Sequence, residues 1–151
     1  MASRIEGRVQ LRKVLKILPQ AYRKEIKEAV RSGAESMAQT MRNLAPVHIG
    51  HLRDSIKVTP GDEDVRLYNR WKSQKVEKDP ELAAIIHTEE FYAPFVEFGT
   101  SPHTNAGEFK GTENPGIKAE PYWFPGYRAR RKDVQAKINR AARKAIKDGL
   151  K

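Results

Sequence analysis

The sequence predicts an α+β fold, with a small antiparallel sheet packed by a long N-terminal helix and a C-terminal basic helix, and with one long exposed loop. Apolar residues recur every three or four positions in residues 11–44 and again in residues 128–150, which is typical of helices. Apolar and polar residues alternate over much of residues 51–71, which is typical of strands with one solvated face. A chain of 151 residues is the size of one domain, so we expect residues 1–151 to share one core.

The N-terminal region is predicted to contain two helices after a short tail. Residues 1–10 include the protease-site sequence Ile-Glu-Gly-Arg and are interpreted as a flexible tail or a tag remnant. Residues 11–18 have helical spacing, which Pro19 interrupts. A second helix is predicted at residues 21–43, and Gly33 within it is expected where another backbone approaches. Its apolar stripe consists of Tyr22, Ile26, Ala29, Val30, Gly33, Met37, Ala38 and Met41.

A loop and the first strand are predicted to follow the long helix. Pro46 and Gly50 end the helix, because the residue before a proline is displaced from helical geometry. The strand is predicted at residues 51–58, where alternate positions are apolar except at Asp54.

The rest of the sheet is predicted in residues 60–87. Residues 60–62, Pro-Gly-Asp, are a turn signal. A second, antiparallel strand is predicted at residues 65–71, and residues 72–80 are a polar connection. Residues 82–87 are interpreted as a third strand, and a helical start at residues 81–84 stays open because the apolar run is short.

An aromatic segment comes next and is predicted to form a short helix. Pro94 suits the first turn of such a helix, and Gly99 suits its end. Phe91, Phe95 and Phe98 are then expected to share one face.

The C-terminal third is predicted to be a long exposed loop followed by a basic helix. Residues 100–119 are rich in Ser, Pro, Asn, Gly and Thr, and loops of this length are usually functional or disordered. The helix, at residues 127–150, has a thin apolar stripe and is expected to dock lightly or against a neighbouring subunit. The stripe consists of Val134, Ile138, Ala141, Ala145 and Ile146. The candidate contacts to a partner or to DNA are Arg130, Arg131, Lys137, Arg140, Arg143, Lys144 and Lys147.

Positive charge is concentrated at both ends of the chain, whose net charge is +10. Residues 1–31 contain nine Lys and Arg against three Glu, and residues 127–151 contain ten against two Asp. The middle is mildly acidic. This uneven charge would favour binding to nucleic acid or to acidic faces of neighbouring subunits. Runs of basic residues are, however, most often the solvent-exposed faces of helices. No base-reading motif is present, so DNA binding would depend on phosphates and on salt.

Aromatic residues next to the basic helix leave two interpretations open. They suit stacking on nucleic-acid bases, although packing in a core or between subunits is their more usual role. These residues are Tyr122, Trp123, Phe124 and Tyr127.

The sequence predicts no enzyme, no cofactor and no metal. It contains no cysteine, and its four histidines lack metal-binding spacing with carboxylates. Glu90 and Glu97 are separated by a proline, so no shared face is predicted for an acid and base pair. Neither a nucleophile elbow nor a phosphate loop occurs. No apolar run approaches the roughly 20 residues of a membrane helix, and no signal peptide is recognised.

Three sequence blocks, in the same order, resemble the tail-completion or neck protein family of long-tailed phages and prophages, relatives of the lambdoid tail-component proteins. The blocks are residues 45–56, 92–100 and 119–125. The main matching positions are Pro46, Gly50, Leu52, Arg53, Ser55, Ile56, Tyr92, Pro94, Val96, Glu97, Phe98, Gly99, Thr100, Pro121 and Pro125. The sequence departs from the family pattern at His48, Ile49, Trp123 and Gly126.

The resemblance implies a structural virion protein that completes the tail or neck and supports head-tail joining. Its implied partners are other copies of itself in a ring, the tail terminator, tail tube or connector proteins, and passing DNA, with no membrane. It would be assembled in the host cytoplasm and reside at the head-tail junction or tail end. Residues 100–119 are then an arm expected to order on contact with another subunit. The main alternative is a nonspecific nucleic-acid-binding protein of prophage origin. A toxin or nuclease-like enzyme, a tail chaperone and the terminator itself are further alternatives.

Overall fold

The computed structural model describes residues 20–47, 50–66, 73–74 and 79–149 and confirms the α+β class. The predicted tail, the predicted helix at residues 11–18 and most of the strand predicted at residues 65–71 lie outside these ranges. The helices are α1 (Gln20–Leu44), α2 (His51–Ser55), α3 (Ala93–Phe98) and α4 (Trp123–Gly149). The strands are β1 (Lys57–Pro60), β2 (Val65–Arg66), β3 (Ser73–Gln74), β4 (Ala84–His87), β5 (His103–Thr104) and β6 (Glu113–Asn114). Single 3-10 turns lie at Pro80–Leu82 and Gly107–Phe109.

Helices α1 and α4 form an antiparallel pair. At one end the Tyr22 hydroxyl donates to the Asp148 carbonyl (3.1 Å), and at the other Gly126 packs on Met41. A Cβ at position 126 would lie 2.7 Å from Met41 Cγ and 3.1 Å from the Met41 backbone nitrogen, so a larger residue there would force the two helices to shift. At Gly33 the close neighbour is the side chain of Val134 rather than another backbone, which corrects the expectation for that position.

The C-terminal helix packs more extensively than its sequence suggested. It begins at Trp123 instead of residue 127 and lies along α1, with Ala145 fully buried and Val134, Ile138 and Ala141 partly buried. The expectation of light docking is therefore wrong. Small residues allow close helix approach, so a narrow stripe is sufficient to anchor the helix.

The main sheet pairs β1 with β4 in antiparallel register, from Lys57 opposite His87 to Pro60 opposite Ala84. The third predicted strand is thus confirmed as β4. The helical alternative applies only to the 3-10 turn at Pro80–Leu82, which precedes the strand. Strand β2 pairs with β3, which lies inside the predicted polar connection, so that part of the connection was predicted wrongly.

The predicted strand at residues 51–58 is wrong over its first half, which is helix α2. The Asp54 amide donates to the Gly50 carbonyl (2.9 Å), a helical hydrogen bond. Leu52 and Ile56, four residues apart, are both buried. Apolar residues four positions apart can share one face of either a helix or a strand. In a strand, Asp54 would lie on the same buried face, but it is exposed, as expected for a helix.

Residues 100–119 form a hydrogen-bonded arm within the single chain. Strands β5 and β6 pair in it, and Thr100 bridges Ile117 at its base. Gly107, Gly111 and Gly116 have positive φ, which makes the turns of the arm possible. The arm is largely exposed, as predicted, but its own backbone bonds already order it, which differs from the expectation of ordering on contact.

Candidate assembly surfaces

The three motif blocks meet at one end of the molecule and build its core. Leu52 and Ile56 from the first block, Ala93 from the second and Tyr122 from the third pack into one cluster. The other buried members of this cluster, from α1 and its end, are Met37, Ala38, Met41 and Ala45. The motif positions inside this cluster therefore have a structural role.

Glu97 caps the N-terminus of α4 from a different helix. Its carboxylate accepts the backbone N–H groups of Tyr122 (2.8 Å), Trp123 (2.8 Å) and Phe124 (3.1 Å), and its residue is only 6% exposed. The first N–H groups of a helix have no partner within it, and the helix dipole favours a negative charge there. Glu97 is thus a positioning residue that fixes the second block to the third. No Ser, Thr, Asp or Asn precedes α4, and that missing local cap was the signal in the sequence.

The end of α3 is fixed to the base of the arm. Gly99 has φ 71°, and a Cβ there would lie 2.7 Å from the Ile117 carbonyl oxygen. Thr100 exchanges backbone hydrogen bonds with Ile117 (2.9 and 3.2 Å), and the Glu120 amide donates to the Val96 carbonyl (2.8 Å). The second block therefore positions both the arm and the start of α4.

The first block is held by its own hydrogen bonds. Gly50 is left-handed (φ 85°) at the start of α2, and the Ser55 hydroxyl donates to the Leu52 carbonyl (2.7 Å). Arg53 forms an exposed ion pair with Asp54 (2.9 Å), and this hydrogen bond lowers the pKa of the Asp54 carboxyl.

The four motif prolines lie at or near the ends of helices. Pro46 is half-buried after α1, and Pro94 is exposed in the first turn of α3. Pro121 is exposed before α4, and Pro125 is half-buried within it.

An open cavity of about 500 Å³ lies beside this cluster, between β4, α3 and the start of α4. We call it the aromatic groove. Its residues include Ile85, Phe91, Pro94, Phe98, Trp123 and Phe124. Phe98 and Phe124 are 68% and 46% exposed, and Phe91, 52% exposed, packs edge-on against the Tyr92 ring (5.4 Å between centroids). The Phe98 and Phe124 rings lie 5.9 Å apart across α3 and α4, which makes the apolar surface continuous.

His87 lies at the groove as a buried neutral side chain, and nothing in the sequence predicted its role. Its Nε2 is 2.9 Å from the Thr59 hydroxyl, while Nδ1 has no hydrogen-bond partner among the described residues. Burial lowers the pKa of His87, and Lys57 lowers it further, against the opposing effect of Glu89.

Four of the seven predicted contact residues on α4 already contact the chain itself. The contacts are Arg130 to Thr40 (2.9 Å), Arg131 to the Tyr127 ring (5.9 Å), Lys137 to Ser32 (2.5 Å) and Lys144 to Glu25 (3.5 Å). The other three, Arg140, Arg143 and Lys147, are exposed and have no acidic partner among the described residues. Their spacing places them on one face, which we call the basic face.

The aromatic cluster at the start of α4 is divided between the core and the surface. Tyr122 is 1% exposed, and burial raises its pKa to about 12, so it cannot stack on a base. Phe124 and Tyr127 are exposed. Core packing is thus the role of Tyr122, while the other two rings remain available to a partner.

The described residues contain neither a cluster of metal ligands nor a helix of membrane-spanning character. No group of three His, Asp or Glu in the described ranges is placed to hold a metal ion. Within the same ranges, no helix has the length and apolar character needed to cross a membrane.

The described residues define a small α+β protein in which the motif blocks build the core. The chain matches the family described as "Bacteriophage HK97-gp10, putative tail-component" over residues 10–99, more than half of its length, and belongs to that family of phage tail components. No curated protein and no solved structure matches the chain. The third block and α4 lie beyond the matched residues.

Proposed function

We propose that this tail component is a non-enzymatic ring subunit that completes the tail or neck and supports head-tail joining. The aromatic groove carries the proposal, because exposed phenylalanines beside the core, Phe98 and Phe124, are typical of a surface that another protein covers. Membership of a phage tail-component family supports a phage structural protein as that partner. Repetition of one heterologous contact by identical copies generates a ring when the rotation closes.

The proposal is tested by removing the protein from a phage that encodes it and supplying variants from a plasmid. Without the protein, we expect full heads and tails to accumulate unjoined in electron micrographs. Mass spectrometry of rescued virions should find the protein in a fixed, low copy number. Infectious particles formed without it would contradict the proposal. A protein that is required but absent from virions would indicate a tail chaperone instead.

Nonspecific nucleic-acid binding is a second candidate function, supported by the basic face alone. Arg140, Arg143 and Lys147 are free to meet phosphates. Binding of this kind would weaken steeply with salt and would not depend on DNA sequence. A gel-shift series at increasing salt, with two unrelated duplexes, tests it directly.

A further inference from the structure

The aromatic groove has the chemistry of a site for a basic, apolar helix. Phe98 and Phe124 provide the exposed apolar surface. Glu90 lines the groove, and the exposed Glu120 of the third block is bonded through its backbone to Val96 of α3, the helix that borders the groove. An occupant that complements this surface needs an apolar face flanked by Lys or Arg.

The chain contains such a segment in residues 9–18, Val-Gln-Leu-Arg-Lys-Val-Leu-Lys-Ile-Leu, immediately before Pro19. It has six apolar residues, three basic residues and no acidic residue. Its spacing predicts an amphipathic helix over residues 11–18. The family match begins at residue 10, so nearly all of this segment belongs to the family's own domain and not to a tag.

The segment cannot reach the groove of its own chain as a helix. It joins α1 at Gln20, whereas the groove lies at the other end of α1, where Met41 meets Gly126 and Tyr122. The helical rise of about 1.5 Å per residue puts some 30 Å between Gln20 and Met41. A ten-residue helix spans only about 15 Å.

We infer that residues 9–18 of one copy bind, as an amphipathic helix, in the aromatic groove of a second copy. The contact is heterologous, because each copy donates a segment and accepts one on a different surface. The inference rests on the proposed self-association and specifies which surfaces form it.

The first experiment mixes two variants of the full chain. Leu11→Asp with Leu15→Asp disables the donated segment, and Phe98→Glu disables the groove. Light scattering coupled to size exclusion should show an oligomer for the unchanged chain and a monomer for each variant alone. The mixture should give a dimer, because one intact segment meets one intact groove. Phe109→Glu is the matched control, since Phe109 is 69% exposed but does not line the groove, and it should stay oligomeric.

A second experiment covers the case in which Phe98→Glu fails to fold. The chain has no cysteine, so Leu15→Cys in one copy and Phe98→Cys in another can be joined by a short bismaleimide. We expect a crosslinked dimer from the mixed pair and at least about tenfold less from Leu15→Cys with Phe109→Cys. Equal crosslinking of both pairs, or a mixture of the charged variants that remains monomeric although both are folded, would overturn the inference. A virion that requires the protein without this crosslink would overturn only the contact and leave the proposed function standing.

Discussion

At the scale of single residues, Glu97 shows how one buried carboxylate joins two distant segments. Three backbone N–H groups at the start of α4 have their partner in α3, and the connection between them is the whole exposed arm. Losing that carboxylate would leave the donors without a partner in a largely buried place. The cap therefore stabilises the geometry of the groove as well as the helix.

We expect Glu97→Ala to lower the free energy of unfolding by about 2–3 kcal/mol, because buried donors lose a charged acceptor. Urea denaturation followed by circular dichroism measures the change. Glu120→Ala is the control, since Glu120 is exposed and only its backbone is bonded to Val96, and it should change stability by less than about 0.5 kcal/mol. Equal effects of the two variants would show that the cap has no special role.

His87 predicts a loss of stability in weak acid. Its pKa is lowered in the folded protein, so below the unfolded value, about 6.5, the unfolded chain binds the proton more readily than the folded one. The contribution of His87 to stability is therefore complete above about pH 7 and decreases as the pH falls through 6.5 towards the folded pKa. The decrease should be smaller in His87→Gln, whose side chain keeps a hydrogen-bonding group for Thr59 but does not titrate. Parallel profiles of unfolding free energy for the two proteins between pH 7.5 and 5.5 would contradict this account.

Sequence reasoning identified Glu97 as a motif position but not what it does. Its acceptor role depends on backbone groups 25 or more positions away, and the sequence shows only that α4 has no local cap, not which side chain replaces it. His87 was missed for a similar reason, because its burial comes from the pairing of β4 with β1 and from the groove behind it. Tertiary contacts between distant segments decide both roles.

At the scale of elements, a hydrophobic pattern that repeats over many residues predicted the type of element correctly, whereas a pattern confined to a few residues did not. The stripe of α1 spans 25 residues, so its 3.6-residue period is unambiguous, and it is buried as expected. Helix α2 has five residues, and over that length Leu52 and Ile56 satisfy either a helix or a strand. Tertiary packing, together with the left-handed Gly50, decides such short elements.

The basic face of α4 can be changed without disturbing the helix pair. We expect Arg140→Glu, Arg143→Glu and Lys147→Glu together to preserve the fold, since all three are exposed and none forms an ion pair with another described residue, but to block tail joining in the plasmid rescue. Lys144 is left unchanged because it pairs with Glu25. The control reverses the exposed Lys24 and Arg31 of α1, which lie outside the arm and the groove, and should still support joining. Normal virions with the triple reversal would exclude this face as an assembly surface.

The same triple reversal separates a protein partner from DNA. If phosphates are the partner, the slope of log affinity against log salt should fall by up to about three for three lost contacts. If an acidic protein face is the partner, DNA affinity should be weak before and after the change while joining is still lost. Fluorescence anisotropy at four salt concentrations gives the slope.

At the scale of the whole molecule, the surfaces available to other proteins are arranged around one rigid helix pair. The groove lies at the end where the motif blocks meet, and the basic face lies along α4 towards the end where Tyr22 meets Asp148. The arm extends from the base of α3, next to the groove. This arrangement suits a subunit whose groove binds an identical neighbour, while the basic face and the arm contact other proteins.

The arm gives a test of that arrangement in the assembled particle. Lys110 is exposed between the 3-10 turn at Gly107–Phe109 and the left-handed Gly111, so trypsin should cleave after it in the isolated protein in spite of the β5–β6 pairing. If the arm meets a neighbour, the same bond should be protected at least several-fold in the virion. Lys110→Gln removes the site and identifies the cut by mass. Cleavage at equal rates in the isolated chain and in virions would mean that the arm stays in solvent, and assembly would then have to use the groove and the basic face alone.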